Sequence, residues 1–328
     1  MHLSVVIPSY NRGHLLSETL PALVNQQTSK GITYEVIFVS NGSSDGSGVV
    51  LEAAAALHPG LIRYFWIPPS GGPSAPRNVG VRAATGEVVV LIDDDVRPDA
   101  DLVQRHAEFH QAHPHPHQAA VGETHVPEGL RDDPMSVFHY PYGQIRHLDR
   151  VSYVYFWTCN VSVKRAFMLE KGMFDERFLG HEDVLLGHQL DRAGMHLHFH
   201  PAARGDHLHH LRPSNLATRG LFLGRWTYEI VQHLPEPAII DRFGVLSARL
   251  GPRRFVARLA RRVAFRAIDN PLTHAVLRRL GATDGHRSRA SDLYYYLELR
   301  RSVVAGYSRA KREARTAGKS ANGACAPR

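Results

Sequence analysis

An α/β fold built on a mostly parallel sheet flanked by helices is what this 328-residue chain predicts, and three observations carry the prediction. Short apolar runs alternate with helical patterns through the first hundred residues, as in repeated βαβ units. A turn signal stands near each expected helix: Asn11, the Ser43-Ser44 pair and the Gly71-Gly72-Pro73 stretch. The residues just after the apolar runs are polar and small, which is where open α/β sheets bind ligands.

In chain order, residues 3–7, 34–39, 62–67 and 88–92 read as strands, with helices expected near 13–27, 46–57 and 74–84. The first strand runs into Pro8-Ser9-Tyr10-Asn11-Arg12, the second into a Ser40–Gly46 loop, and the fourth ends directly in Asp93-Asp94-Asp95. These three loops should converge on one cleft. Residues 156–210 form a second block: a Trp-Thr-Cys-Asn segment, a helix, a second helix opened by His181-Glu182-Asp183, an alternating run at 195–200 and a histidine-rich stretch at 207–210. Pro114–Pro116 and Pro127–Pro134 read as loops between the blocks.

With 43% hydrophobic residues the chain can bury a sizeable core, as one large domain or a domain with an appendage. No segment offers the roughly eighteen uninterrupted apolar residues of a membrane span, and Met1 leads straight into an apolar strand, so a cytoplasmic protein is expected. Cys159 and Cys325 stand far apart and outside any CxxC spacing, which indicates neither a disulfide framework nor a thiolate zinc site. The net charge of +8 is uneven: residues 1–100 hold six Lys/Arg against nine Asp/Glu, whereas residues 252–316 hold sixteen against five. The excess positive charge therefore belongs to the C-terminal region and poses a separate question from the chemistry.

Three consecutive carboxylates at the end of an apolar strand repel one another in a partly desolvated cleft and need a positive partner. A hard divalent cation suits them, since oxygen ligands favour Mg²⁺ or Mn²⁺ and leave positions open for phosphates. Asp93 and Asp95 would face it. A bare Asp-x-Asp reads first as a solvated acidic loop or a helix N-terminus.

Four segments in order decide between these readings. VVIPSYNR (5–12), VSNGSSDGS (39–47), APRNVGVRAATGEVVVLIDDDVRPD (75–99) and GMFDERFLGHEDVLLGHQLDRAG (172–194) together resemble glycosyltransferase family 2, an inverting family of Rossmann-like GT-A fold, over roughly residues 3–212. The resemblance implies a nucleotide-sugar donor whose base and ribose are lined by Pro8, Tyr10 and Asn41, with Arg77 near the diphosphate or sugar. It implies that Asp93 and Asp95 hold the Mn²⁺ or Mg²⁺ ion against the diphosphate, with Asp94 also on the donor side. Asp183 falls where the family places its catalytic base, and His207 where many relatives place a third metal ligand. His209 and His210 are alternatives to His207, which ranks first on its spacing from Pro201. Asn41 stands where many relatives carry an aspartate that accepts from uracil, which leaves the donor open among UDP-, dTDP- and GDP-sugars.

Other readings stand beside these. Asp183 could cap the helix that follows it; His196, His198 and His200 alternate as one polar strand face; Trp157 and Asn160 would shape the acceptor side, or Trp157 would be core. A nucleotidyltransferase would share the sheet and the metal-binding aspartates but should carry a Gly- and Arg-rich phosphate loop after the first strand. A non-catalytic sugar-nucleotide-binding protein is the third function.

The expected domains are a catalytic one over 1–215, a basic helical extension over 216–312 and a disordered tail over 313–328. From Pro252, Arg254, Arg258, Arg262 and Arg266 recur every four residues with Arg261 on their face, opposite Val256, Leu259, Val263 and Ala267. Such helices over 252–312 could rest peripherally on the inner face of a membrane, bringing the enzyme to a lipid-linked acceptor, or could cover the core or form a homodimer contact. The acceptor could equally be a polysaccharide or a small molecule. Nucleic acid ranks last, because no aromatic platform interleaves the basic residues.

Overall fold

In the computed structural model, which describes residues 1–138, 140–208, 211–245, 251–281 and 287–323, the four expected strands are β1 (His2–Ser9), β2 (Thr33–Asn41), β3 (Ile62–Ile67) and β4 (Val88–Ile92). All are parallel to their neighbours among these four, with β1 between β2 and β4. Their near-continuous Val/Ile/Leu runs follow from burial on both faces: every residue of β4 is fully buried. Helices α1 (Leu16–Val24), α2 (Ser47–Leu57) and α3 (Ser74–Ala83) make the crossovers. Helix α3 sits hard against β1, since a Cβ on Gly80 would lie 2.3 Å from Val6.

The rest of the sheet comes from β5 (Val96–Pro98), β6 (Gln118–His125), β7 (Asn160–Lys164) and β8 (His196–His207). The order is β3-β2-β1-β4-β7-β6-β8-β5, with β7 antiparallel to β4 and β6, β8 parallel to β6, and β5 antiparallel to β8. Strand direction thus reverses beside β4, and the acidic triplet leaves the sheet at that point. Helices α4 (Leu102–Ala112), α5 (Arg165–Lys171) and α6 (Glu182–Arg192) complete this part.

Asn160 is not on a cleft wall. It is fully buried, receives a hydrogen bond from His106 (2.9 Å) and donates one to the Ala203 carbonyl (2.9 Å), so it ties α4 to β7 and β8. One turn along α4, His110 meets Ser162 at 2.9 Å. Burial pushes His106 down to about 4 and His110 down to about 2, so both rings pack as neutral groups.

The chain divides into two compact units: Met1–Glu128 with His139–His209, and Gly129–Phe138 with His210–Arg328. The last crossing between the units falls near 209, a few residues before the boundary expected at 215, and a short excursion at 129–138 belongs to the second unit. There Met135, Leu216 and Tyr295 form a small core with Phe138, Leu211, Tyr294 and Leu299. The second unit holds α7 (Leu216–His233), α8 (Pro237–Arg242), α9 (Pro252–Ile268), α10 (Pro271–Gly281) and α11 (Arg289–Gly323). Helices α7 and α11 meet backbone to backbone: a Cβ on Gly224 would lie 2.0 Å from the Val303 carbonyl, and one on Gly306 2.2 Å from that of Leu221. The tail expected to be disordered from 313 is helical as far as Gly323. Its Ala, Arg and Lys residues are good helix formers, and Glu313 pairs with Arg309 one turn earlier at 2.8 Å. Among the described residues, no helix is long and apolar enough to cross a membrane.

Candidate active site

The site begins where β4 stops. Asp93 follows Ile92, the Val96 N–H bonds back to the Asp93 carbonyl (3.1 Å), and β5 then pairs Val96 with His207 at the end of β8. The Leu208 N–H donates to the Asp95 carbonyl at 2.7 Å, closing the two segments on each other. As a result Asp93, Asp95 and His207 bring one ligand atom each within 4.8 Å of the others. Two carboxylates and an imidazole form a donor set that suits Mn²⁺ or Mg²⁺. His209 and His210 lie outside the described residues.

Asp94 turns the other way, toward the loop after β1. The Tyr10 N–H donates to its Oδ2 (3.2 Å), and Arg12 lies 3.4 Å from Asp94 Oδ1 and 3.2 Å from Asp95 Oδ2. Burial, reinforced by the charge on Asp95, pushes the Asp94 carboxyl up to about 7 against the pull of Arg12. The same loop is bolted to the one after β2. Asn11, in the left-handed region at φ 52°, accepts from the Ser44 N–H, and its own N–H donates to Ser43 Oγ.

Opposite the triplet stands the start of α6. His181, left-handed at φ 59°, turns the chain so that Glu182 and Asp183 open the helix; a non-glycine residue held there is strained and marks a place worth functional scrutiny. Arg77 of α3 joins the two sides. This buried guanidinium donates from Nη2 to Asp93 Oδ1 and from Nη1 to Glu182 Oε1, each at 2.7 Å, and its carbon lies 5.4 Å from the Phe174 ring centroid. Its neighbour Asn78 brackets the Phe174 backbone, accepting from its N–H and donating to its carbonyl at 2.9 Å each. The Arg77-Asn78 pair thereby fixes the segment that delivers α6.

Asp183 is half-buried and accepts from the Val184 N–H at 2.8 Å. Burial, with the charges of Glu182 and Asp93, pushes its carboxyl up to about 7, against that hydrogen bond and Arg77. A half-buried carboxyl that titrates near neutrality suits proton transfer. Tyr140 lies close enough to Asp93 and Asp183 that, after Cys159 and burial, both help hold its phenol well above the usual range. Its ring packs on Trp157 (centroids 4.8 Å apart) and edge-on to His207 (6.1 Å).

This geometry can be set beside known proteins. The family described as Glycosyl transferase family 2 matches residues 4–171, half of the chain. The chain belongs to glycosyltransferase family 2. Among relatives, a poly(ribitol-phosphate) β-glucosyltransferase of Bacillus spizizenii is 39% identical over 95 residues, covering 29% of this chain and 15% of that protein. Validoxylamine A glucosyltransferase of Streptomyces hygroscopicus is 29% identical over 226 residues, covering 59% and 52%. The chain thus spans less than two thirds of the length of these relatives. Among solved structures, a Pyrobaculum calidifontis mannosyltransferase in complex with GDP-Man and Mn²⁺ superposes with a TM-score of 0.59 at 17% identity, over 93% of this chain and 86% of that one. Residues 1–349 of S. aureus TarS in complex with UDP give 0.53 at 20% identity, over 97% and 92%. The fold is GT-A.

In this family-2 chain the sequence-expected residues Asp93, Asp95 and His207 form one donor cluster, Arg77 ties it to the segment that carries Asp183, and Asp94 turns toward the loop after β1. Pro8 is buried at the end of β1, while Tyr10 is 58% exposed at the rim. Asn41 is committed to the protein itself. Its carbonyl accepts from the Ser70 N–H and hydroxyl (2.8 Å each) and its amide donates to the Gly72 carbonyl (3.0 Å), so it shapes the loop before α3. Trp157 is buried. Three contributors were not singled out from sequence: Arg12, Glu182 and Tyr140. Arg12 had a signal, as the cation in the loop after β1; Tyr140 had none, being in an irregular segment.

Proposed function

We propose that this chain transfers a sugar from a nucleoside-diphosphate-sugar donor to an acceptor hydroxyl, with inversion at the anomeric carbon and with dependence on Mn²⁺ or Mg²⁺. The observation that carries the reading is the Arg77 bridge, which joins Asp93 of the acidic triplet to Glu182, the neighbour of Asp183, through its two terminal nitrogens at 2.7 Å each.

In the proposed reaction Asp183 accepts the proton of the acceptor hydroxyl as that oxygen bonds to the anomeric carbon, and the bond to the β-phosphate oxygen breaks on the opposite face. Bound by Asp93, Asp95 and His207, the divalent ion would neutralise charge on the departing diphosphate. Arg77 keeps Asp93 aimed and holds Glu182 beside the base. Exposed Tyr10 offers a ring face to the donor's base at the rim. The GDP-Man, UDP and UDP-GlcNAc in similar structures support a nucleotide-sugar donor, and the relatives named as glucosyltransferases of poly(ribitol-phosphate) and validoxylamine A support transfer of a sugar to an acceptor.

A panel of UDP-, dTDP- and GDP-sugars with Mn²⁺ tests this. At a hundred times its dissociation constant one donor should stabilise the fold by about 3 kcal/mol and be hydrolysed slowly to the nucleoside diphosphate. Stabilisation without hydrolysis would indicate a non-catalytic binding protein. Pyrophosphate release from a nucleoside triphosphate and a sugar phosphate would indicate a nucleotidyltransferase.

A further inference from the structure

Helices α9 and α10 each turn an apolar stripe outward. A helix that covers a core turns its apolar stripe inward, yet no residue of α9 is buried, and Val256, Leu259 and Val263 are 62%, 42% and 61% exposed. With Ala260 and Ala267 they fall on one face by their spacing of three, four and seven. The half-buried residues that face the rest of the unit are Phe255, Arg258 and Phe265: Arg258 pairs with Asp241 at 2.8 Å, and Arg300 of α11 lies 4.9 Å from the Phe265 ring centroid.

Helix α10 repeats the pattern. Leu272, Val276 and Leu280, four residues apart, are 74%, 47% and 66% exposed. On its inner side His274 is held by Asp269 at 2.8 Å and by Glu298 at 2.6 Å. Arginines border the stripes: Arg262 and Arg266 on one edge of the α9 stripe, Arg253 on the other, and Arg278 and Arg279 in the last turn of α10. Neither helix contains an acidic residue.

Three partners could cover such a surface, and the charges choose among them. A second copy across a two-fold contact would set the same arginines against themselves with no carboxylate between. A nucleic acid would pair with the arginines and leave the valines and leucines in water. A lipid interface accepts both, apolar side chains entering the acyl boundary while arginines extend to the phosphates. We propose that α9 and α10 lie flat in the interface of an anionic phospholipid bilayer, apolar stripes down and arginines at headgroup level, anchoring this chain peripherally. With no described helix able to span the bilayer, the contact is one of lying on it.

The test is flotation of the full chain with phosphatidylcholine vesicles, with and without phosphatidylglycerol. The chain should float with the anionic vesicles and stay behind with the neutral ones. Val256→Glu with Val263→Glu should cut partitioning at least about tenfold, and Arg262→Gln with Arg266→Gln should cut it by about tenfold or more. All four positions are exposed, so the variants should melt with the parent chain. Failure to float with anionic vesicles, or flotation indifferent to the Val→Glu pair, overturns the proposal. So does a dimer that the Val→Glu pair dissociates in a chain that binds no vesicles. None of these outcomes bears on sugar transfer, which the nucleotide-sugar panel tests separately.

Discussion

Asp183→Asn loses turnover by about 10³-fold, the usual contribution of a positioned general base, and yet melts at a higher temperature than the parent chain. The two effects have one origin. The folded-state carboxyl is raised from 3.8 to about 7 by burial and by Glu182, so the folded chain holds this proton more tightly than the unfolded one. Stability from the group is complete below pH about 4 and is lost as pH rises through about 7. At pH 8 the ionised carboxylate therefore weakens the fold, by on the order of 2 kcal/mol for a half-buried group, and a neutral amide removes that cost. The parent enzyme needs the ionised form, so its rate should rise about tenfold per pH unit below 7 and level off above. Parallel melting curves and a pH–rate profile check both; a variant that melts lower and retains full rate would remove Asp183 from the mechanism.

Arg77→Met is expected to destabilise the fold by about 3–5 kcal/mol, the cost of leaving buried Glu182 and half-buried Asp93 without their partner. Arg77 is 3% exposed and its two terminal nitrogens each contact a carboxylate at 2.7 Å. Its loss also removes one of the two influences that hold the Asp183 carboxyl down, so the pH–rate profile should move upward in whatever activity survives. Arg77→Lys, which keeps a charge but cannot fork to two carboxylates, should fold and still show the upward move. Denaturant melts and pH profiles of both variants read this out. An unshifted profile in the lysine variant would mean that Arg77 serves stability alone.

How much of this was legible in the sequence depended on where burial was complete. The strands β1 to β4 stand out as apolar runs because both faces of the sheet are covered, and the Asp triplet stands out because it interrupts the last of them. Strand β5 has three residues, too short for any pattern, and β6 and β7 carry buried polar groups, Glu123, Thr124, Asn160 and Ser162, whose partners come from elsewhere in the chain. Long-range pairing of that kind has no local signature. The same reason hid the use of Arg77. Its position suggested the diphosphate, but the partners of its two terminal nitrogens arise from residue 93 and residue 182. Asn41 likewise occupies a suggestive loop while its side chain is spent on Ser70 and Gly72. His207 was marked only by spacing; the β5–β8 pairing supplies the physical reason that it meets Asp95.

The most direct test of the central claim, a divalent ion held by Asp93, Asp95 and His207 at the donor site, is calorimetric titration of Mn²⁺ into the chain with the preferred nucleoside diphosphate, for the parent and for Asp95→Ala. The parent should bind the ion, and the nucleotide should bind more tightly in its presence. Asp95→Ala should lose at least about tenfold in ion affinity together with most of that coupling. Equal Mn²⁺ binding and equal coupling in the two chains would contradict the account.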